Sequence, residues 1–295
     1  MCITKKHKIT SVIFILLISL YLFISPILYA DNLNKNLSLN TESIQQGDFL
    51  IVETPLTSTL NSVLFNTTKY NFNNSQDMKI AVIPVSYWIT PNDYILTILG
   101  PNKEIKKTIT VLSGNFANSY IEVDQDKESL IRPEKESTIQ RKKEDQKLIN
   151  KARQTSSLSN LWINSFIWPV KGPISTEFGA TRFVNGSLQS RHSGIDIACQ
   201  QGKSISATNN GIIKLATNLL ITGNTIIIDH GWNIFSSYSH LSKVEVKKGD
   251  QVEKGQKIGE IGSTGFSTGP HLHWTITING VFVNPRSIIN NNIIN

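Results

Sequence analysis

Short apolar runs separated by turn residues fill the stretch from Ser38 to Gly114. Phe49-Leu-Ile-Val52, Ile80-Ala-Val-Ile83, Tyr94 to Leu99 and Ile109-Thr-Val-Leu112 are divided by Gln46-Gly47, Thr54-Pro55, Asn73-Asn74, Pro91-Asn92-Asp93 and Gly100-Pro101-Asn102. This rhythm predicts a small all-β sandwich over residues 38–114. The pattern then turns charged. From Asp124 to Arg153 apolar positions are sparse (Ile139, Leu148, Ile149, Ala152), and Pro133 with Glu134 and Glu136 resembles a helix start. Residues 115–160 are therefore expected to form a solvated helical connection, ending in a polar linker from Gln154 to Asn160.

From residue 161 to about 290 the strand pattern returns. Ile174 to Thr176, Ile195-Asp-Ile197, Ile212-Ile213, Thr225 to Asp229, Phe235 to Tyr238, Val244 to Val246 and Thr275 to Ile278 alternate with glycine turns. The chain thus reads as mainly β, with an N-terminal sandwich-like domain, a charged helical linker and a C-terminal antiparallel sheet.

A different pattern opens the chain. Lys5-Lys6-His7-Lys8 precedes an almost unbroken apolar run from Ile9 to Phe23, closed by Ser25-Pro26 and Leu28-Tyr29-Ala30. This layout predicts a secretory signal over residues 1–30, or an uncleaved anchor of nearly spanning length. An exported protein, periplasmic or in the cell envelope, is the expectation. Removal of those residues takes away three lysines and no acid, lowering the formal charge from +7 to +4. Membrane contact is expected only through the uncleaved segment. Interleaved acids around Arg141-Lys142-Lys143 argue against a nucleic-acid surface. Cys2 lies ahead of the apolar run and cannot serve as a lipid-bearing cysteine after it; Cys199 is then alone, without an intrachain disulfide partner.

Metal-capable chemistry gathers in the C-terminal region. His271 and His273 stand i, i+2 at the head of a β-branched strand, so both imidazoles are expected on one face, with Leu272 and Trp274 on the other. His192 and Asp196 enter a second strand four residues apart, and Cys199 falls on the face opposite Asp196. His240 closes a strand after Tyr238, while His230, in a turn before Gly231, reads as structural. The N-terminal stretch from Ser38 to Gly114 contains no histidine; it is expected to act as a spacer, lid or docking module for a regulatory partner.

Together, Trp168-Pro169, Phe178-Gly179, His192-x-x-x-Asp196, His240 and Thr264-Gly265-x-x-x-Gly-Pro-His-Leu-His273 resemble the LytM/lysostaphin-type zinc metallopeptidases, over about Trp168 to Pro285. The resemblance implies a peptidoglycan endopeptidase with one zinc ion held by His192, Asp196 and His273, and with His271 and His240 as the catalytic imidazoles. Two neutral imidazoles and one carboxylate leave a fourth position for water, the pattern of a catalytic zinc. No glutamate adjoins the ligands, so a histidine must take the proton. His271 is favoured as base and His240 for the oxyanion, roles that could be exchanged. The segments Thr181 to Ser190 and Gly262 to Gly269 are expected to wall a substrate groove as loops, with Arg182 and Asn185 meeting the peptide. A non-catalytic relative that activates other wall hydrolases is one alternative. A carrier barrel, suggested by the hairpin Val246 to Gly259, is another, but it leaves the histidines without a role.

Overall fold

The computed structural model describes residues 37–294; the signal or anchor segment lies outside them. The mainly β expectation holds. Two sheets face one another in the N-terminal part: a four-stranded sheet centred on Phe49–Pro55 and Met78–Pro84, and a five-stranded sheet centred on Asn92–Gly100 and Lys103–Leu112. Leu50, Val52, Ala81 and Ile83 point from the first sheet into the core between them, meeting Val63, Leu96, Ile98 and Ile109.

The other face of that four-stranded sheet is not solvated. Phe49, Ile51, Ile80 and Val82 belong to the core of the C-terminal domain, with Tyr87 and Phe178. A strand buried on both faces needs apolar residues at consecutive positions rather than alternate ones, which is what Phe49-Leu-Ile-Val52 and Ile80-Ala-Val-Ile83 supply. Polar contacts cross the same boundary. Asn279 Nδ2 donates to Val82 O at 3.0 Å and Asn284 N to Gly47 O at 2.6 Å. Arg191 reaches Tyr87 O, with its guanidinium 4.7 Å from the Trp88 ring centre and 4.9 Å from that of Phe116.

The C-terminal domain is built on an eight-stranded, antiparallel sheet. At its centre the strand His271–Ile278 lies between Ile195–Ala198 and Ile234–Leu241. Ile195, Ile197, Leu272, Trp274 and Tyr238 fill the core on one side, leaving the other side of these three strands for the histidines. Cys199, just past the strand Ile195–Ala198, is half-buried against this core, its thiol 3.6 Å from Lys171 O.

The connection between the domains differs from the expected single solvated helix. It begins as a strand, Asn118–Ile121, paired in parallel with Thr181–Val184. Two helices follow, Gln125–Ile131 and Glu136–Arg153, and Pro133 sits in the break between them rather than at a helix start. Asp124 caps the first, accepting from Lys127 N at 2.8 Å. The second is solvated along most of its length, but Ile149 and Ala152 pack on Leu215, Leu219, Ile227 and Phe235. Asp145 is buried beneath it, accepting from Arg141 and from Leu220 N. The polar stretch after the helix is tied down by Asp229, which accepts from Ser156 Oγ and Ser157 N. Among the described residues no helix is long and apolar enough to cross a membrane.

Candidate metal centre and groove

Strand pairing assembles the site. Asp196 lies directly opposite His273, and Ala198 opposite His271, in an antiparallel register. Facing residues share a side of the sheet, so Asp196, His273 and His271 project together. His192 enters from the turn before Ile195–Ala198, where its amide donates to Ala180 O at 2.8 Å and its carbonyl accepts from Gly179 N at 2.8 Å. Gly194 allows the close approach this turn requires, because a Cβ there would overlap the Trp274 carbonyl.

His240 reaches the cluster by an irregularity. Ser239 is paired with His273, so an unbroken strand would turn His240 to the opposite side, with Tyr238 in the core. Instead His240 has φ of 65°, a left-handed conformation uncommon outside glycine. Its ring swings to within 4.8 Å of His271 and 6.0 Å of His273, centre to centre.

Three donor atoms converge. His192 Nε2 is 2.9 Å from Asp196 Oδ1 and 3.0 Å from His273 Nδ1, and His273 Nδ1 is 2.8 Å from Asp196 Oδ1. His192 Nδ1 donates to Glu177 O at 2.9 Å, which fixes its tautomer and leaves the Nε2 lone pair aimed at the carboxylate. One divalent cation satisfies such a set of lone pairs at once, and a two-imidazole, one-carboxylate set suits zinc. These are the residues that could hold a metal.

Two further imidazoles stand beside them. His240 Nδ1 donates to Thr264 O and His271 Nδ1 to Gly269 O, each at 2.8 Å. Both therefore turn an Nε2 lone pair to the site, that of His271 lying 3.7 Å from Asp196 Oδ1. Burial, reinforced by the charged forms of His271 and His273, lowers the His240 pKa to about 3; burial, opposed by Asp196, lowers that of His273 to about 4. Burial alone would raise Asp196, but contacts with His192 and His273 outweigh it and hold the carboxyl well below its usual range. His273 thus stands as a neutral imidazole and Asp196 as an ionised carboxylate near pH 7.

The cluster opens into a groove of about 590 Å³. Arg182 lines it, its Nη2 3.3 Å from Asp196 Oδ2. Asn185 does not. Its side chain is engaged with Val123 and Glu128 in the connecting segment. The expected loop from Thr181 to Ser190 is a hairpin, Thr181–Val184 with Ser187–Arg191, turned by Asn185 and Gly186 at φ of 48° and 74°. That Asn-Gly pair is a hairpin signal present in the sequence. Phe266 to Gly269, in the other expected wall, do line the groove, whereas Ser119 and Ile121 from the connecting strand and Thr222 opposite carried no signal in the sequence. His230 lies elsewhere, fully buried between Asn210 O and Ser236 Oγ, as a structural histidine.

Comparison with known proteins agrees with the geometry. Residues 190–285 match the model of Peptidase family M23. The peptidoglycan DD-endopeptidase ShyA of Vibrio cholerae is 41% identical over 93 residues, 32% of this chain and 22% of ShyA. The murein hydrolase activator NlpD of Salmonella dublin is 37% identical over 132 residues, 44% of this chain and 33% of NlpD. These matches span only a fifth to a third of the curated relatives. A crystal structure from Pseudomonas aeruginosa, assigned to peptidase M23, superposes with a TM-score of 0.60 and 25% identity, covering 81% of this chain and 92% of that one.

Proposed function

We propose that this protein, whose residues 190–285 match the model of Peptidase family M23, is an exported zinc endopeptidase that hydrolyses peptide bonds in peptidoglycan crosslinks or stem peptides. The observation that carries the reading is the convergence of His192, Asp196 and His273 within 3.0 Å of one another on the floor of an open groove. These three would hold one zinc ion. When bound, it supplies Lewis acidity, lowering the pKa of a water from ~15.7 towards ~7 and polarising the scissile carbonyl.

The remaining steps belong to side chains. His271, half-buried in the groove and pinned through Nδ1 to Gly269 O, presents Nε2 to accept the water proton. The imidazolium so formed returns that proton to the leaving amine. His240, more deeply buried and pinned to Thr264 O, stands behind it and turns its Nε2 lone pair to the same groove, where it would share in the proton transfer. Arg182 holds Asp196 Oδ2, which leaves Oδ1 for the metal.

Similarity to ShyA supports the choice of peptidoglycan, and the basic-then-apolar sequence of residues 1–30 supports export. Similarity to NlpD keeps a second reading in view, a non-catalytic activator of other wall hydrolases. All five imidazole and carboxylate positions are present here, which favours the hydrolase. Incubation of purified protein with defined muropeptides, with fragments weighed and zinc counted, separates the two. Zinc near one per chain and new peptide fragments, both lost in His273→Ala, are expected; wall binding with zinc but no fragments would replace the enzyme by the activator.

A further inference from the structure

The groove extends beyond the family-matched residues. Its polar side is a row of three side chains on three neighbouring strands. Ser119 is paired with Arg182, and Arg182 with Ser190, so all three share one face, the face from which Arg182 reaches Asp196. Two residues on, Ile121 is paired with Val184 and packs with Ile221 and Phe266 where the groove turns apolar. Alternation along the strand confirms the assignment: Ser119 and Ile121 are half-buried, whereas Asn118 and Tyr120 are exposed. Tyr120 stacks on Phe183 on the outer face, with ring centres 5.1 Å apart and planes at 16°, and so fixes the strand's register.

We propose that the interdomain strand Asn118–Ile121 is a substrate-binding wall, in which Ser119 receives a polar group of the stem peptide and Ile121 bounds a site for a small apolar side chain. The assignment rests on the peptidoglycan reading of the same groove. It makes the connecting segment part of the substrate site, and it places the specificity of the catalytic domain partly in residues outside residues 190–285. Among the described residues, none that lines the groove comes from the sandwich itself, whose last strand ends at Leu112.

Neighbouring residues on opposite faces supply the test. In the full chain, Ser119→Cys and Asn118→Cys are each treated with a bulky maleimide after folding, and modification at each site is followed by mass. A defined muropeptide is expected to slow labelling of the thiol introduced at 119 at least fivefold and to leave that at 118 unchanged. Labelling at 119 is expected to lower kcat/KM at least tenfold, with zinc content unchanged; labelling at 118 should alter it less than twofold. Ser119→Trp, paired with Asn118→Trp, should reproduce both results without chemistry. Protection at 119 in a protein that cleaves nothing would sink the hydrolase while leaving the wall intact. Cleavage by wild type combined with no protection and no loss on labelling at 119 would overturn the wall alone.

Discussion

His240 and His271 come from different strands, yet their rings lie 4.8 Å apart because His240 breaks the pleat with a positive φ. Each ring is anchored through Nδ1 to a backbone carbonyl, so each offers the same nitrogen to the groove. The pair differ in burial, not in tautomer.

That difference sets the expected ranking of two variants. His271→Gln should reduce kcat by about 10²–10⁴-fold, the usual scale of a general base, with zinc retained. His240→Gln should also retain zinc but fall less in kcat. Single-turnover rates alongside metal analysis make the comparison, and a His271→Gln enzyme with unchanged kcat would remove that residue from the role of base.

Gly194 should tolerate no side chain. Since a Cβ would overlap the Trp274 carbonyl, Gly194→Ala must push Ile195–Ala198 away from His271–Ile278 and separate Asp196 from His273. We expect a stability loss of about 1–3 kcal/mol, typical of overpacking, and weaker zinc retention against a chelator. Denaturant melts and chelator competition at neutral pH measure the two effects.

His230 gives a pH signature independent of the metal site. Burial lowers its pKa to about 4, against the partly offsetting contacts with Asn210 and Asp229, while an unfolded histidine titrates near ~6.5. The unfolded chain therefore binds the extra proton between these values, and stability falls as pH drops through that window. From pH 7 to pH 5 the loss from this group is about 2 kcal/mol. His230→Gln should be less stable at pH 7, through weakened contacts with Asn210 and Ser236, but should show a shallower acid slope. Equal slopes for variant and wild type in urea titrations at pH 7, 6 and 5 would contradict this account.

Arg191 ties the two domains beside a proposed ligand. Its guanidinium lies between Trp88 and Phe116 and reaches Tyr87 O, immediately before His192. Cation–π contacts are worth about 0.5–2 kcal/mol each, so Arg191→Met should lower the unfolding free energy by roughly 1–3 kcal/mol. Hydrogen exchange should rise at Tyr87–Trp88 and at Gly179–His192 together. Exchange confined to one side would show that the clamp does not couple them.

The chemistry of the site was more legible than its walls. His-x-x-x-Asp and His-x-His at the heads of strands fix side-chain faces by simple alternation, and Asp196 opposite His273 follows once those strands pair. The turn of His240 onto that face was not readable, because nothing in Tyr238-Ser-His240 announces a positive φ. Asn185 illustrates a signal present but passed over: Asn-Gly marks a two-residue hairpin, which consumes the residue in the turn instead of offering it to substrate. Asn118-Ser-Tyr-Ile121 carried little signal of its own, since its pairing is parallel and entirely tertiary. Pro133 misled for a local reason: its fixed φ suits a break between helices as well as a first turn.

Phe49, Ile51, Ile80 and Val82 bear on any motion of the N-terminal part. Swinging it outward as a rigid lid would wet all four, at about 1.5–3 kcal/mol for each large side chain. That penalty is comparable with the whole stability of an ordinary domain. Thermal agitation alone would not hold the two halves apart in water; a partner that parted them would have to cover the uncovered apolar face with one of its own.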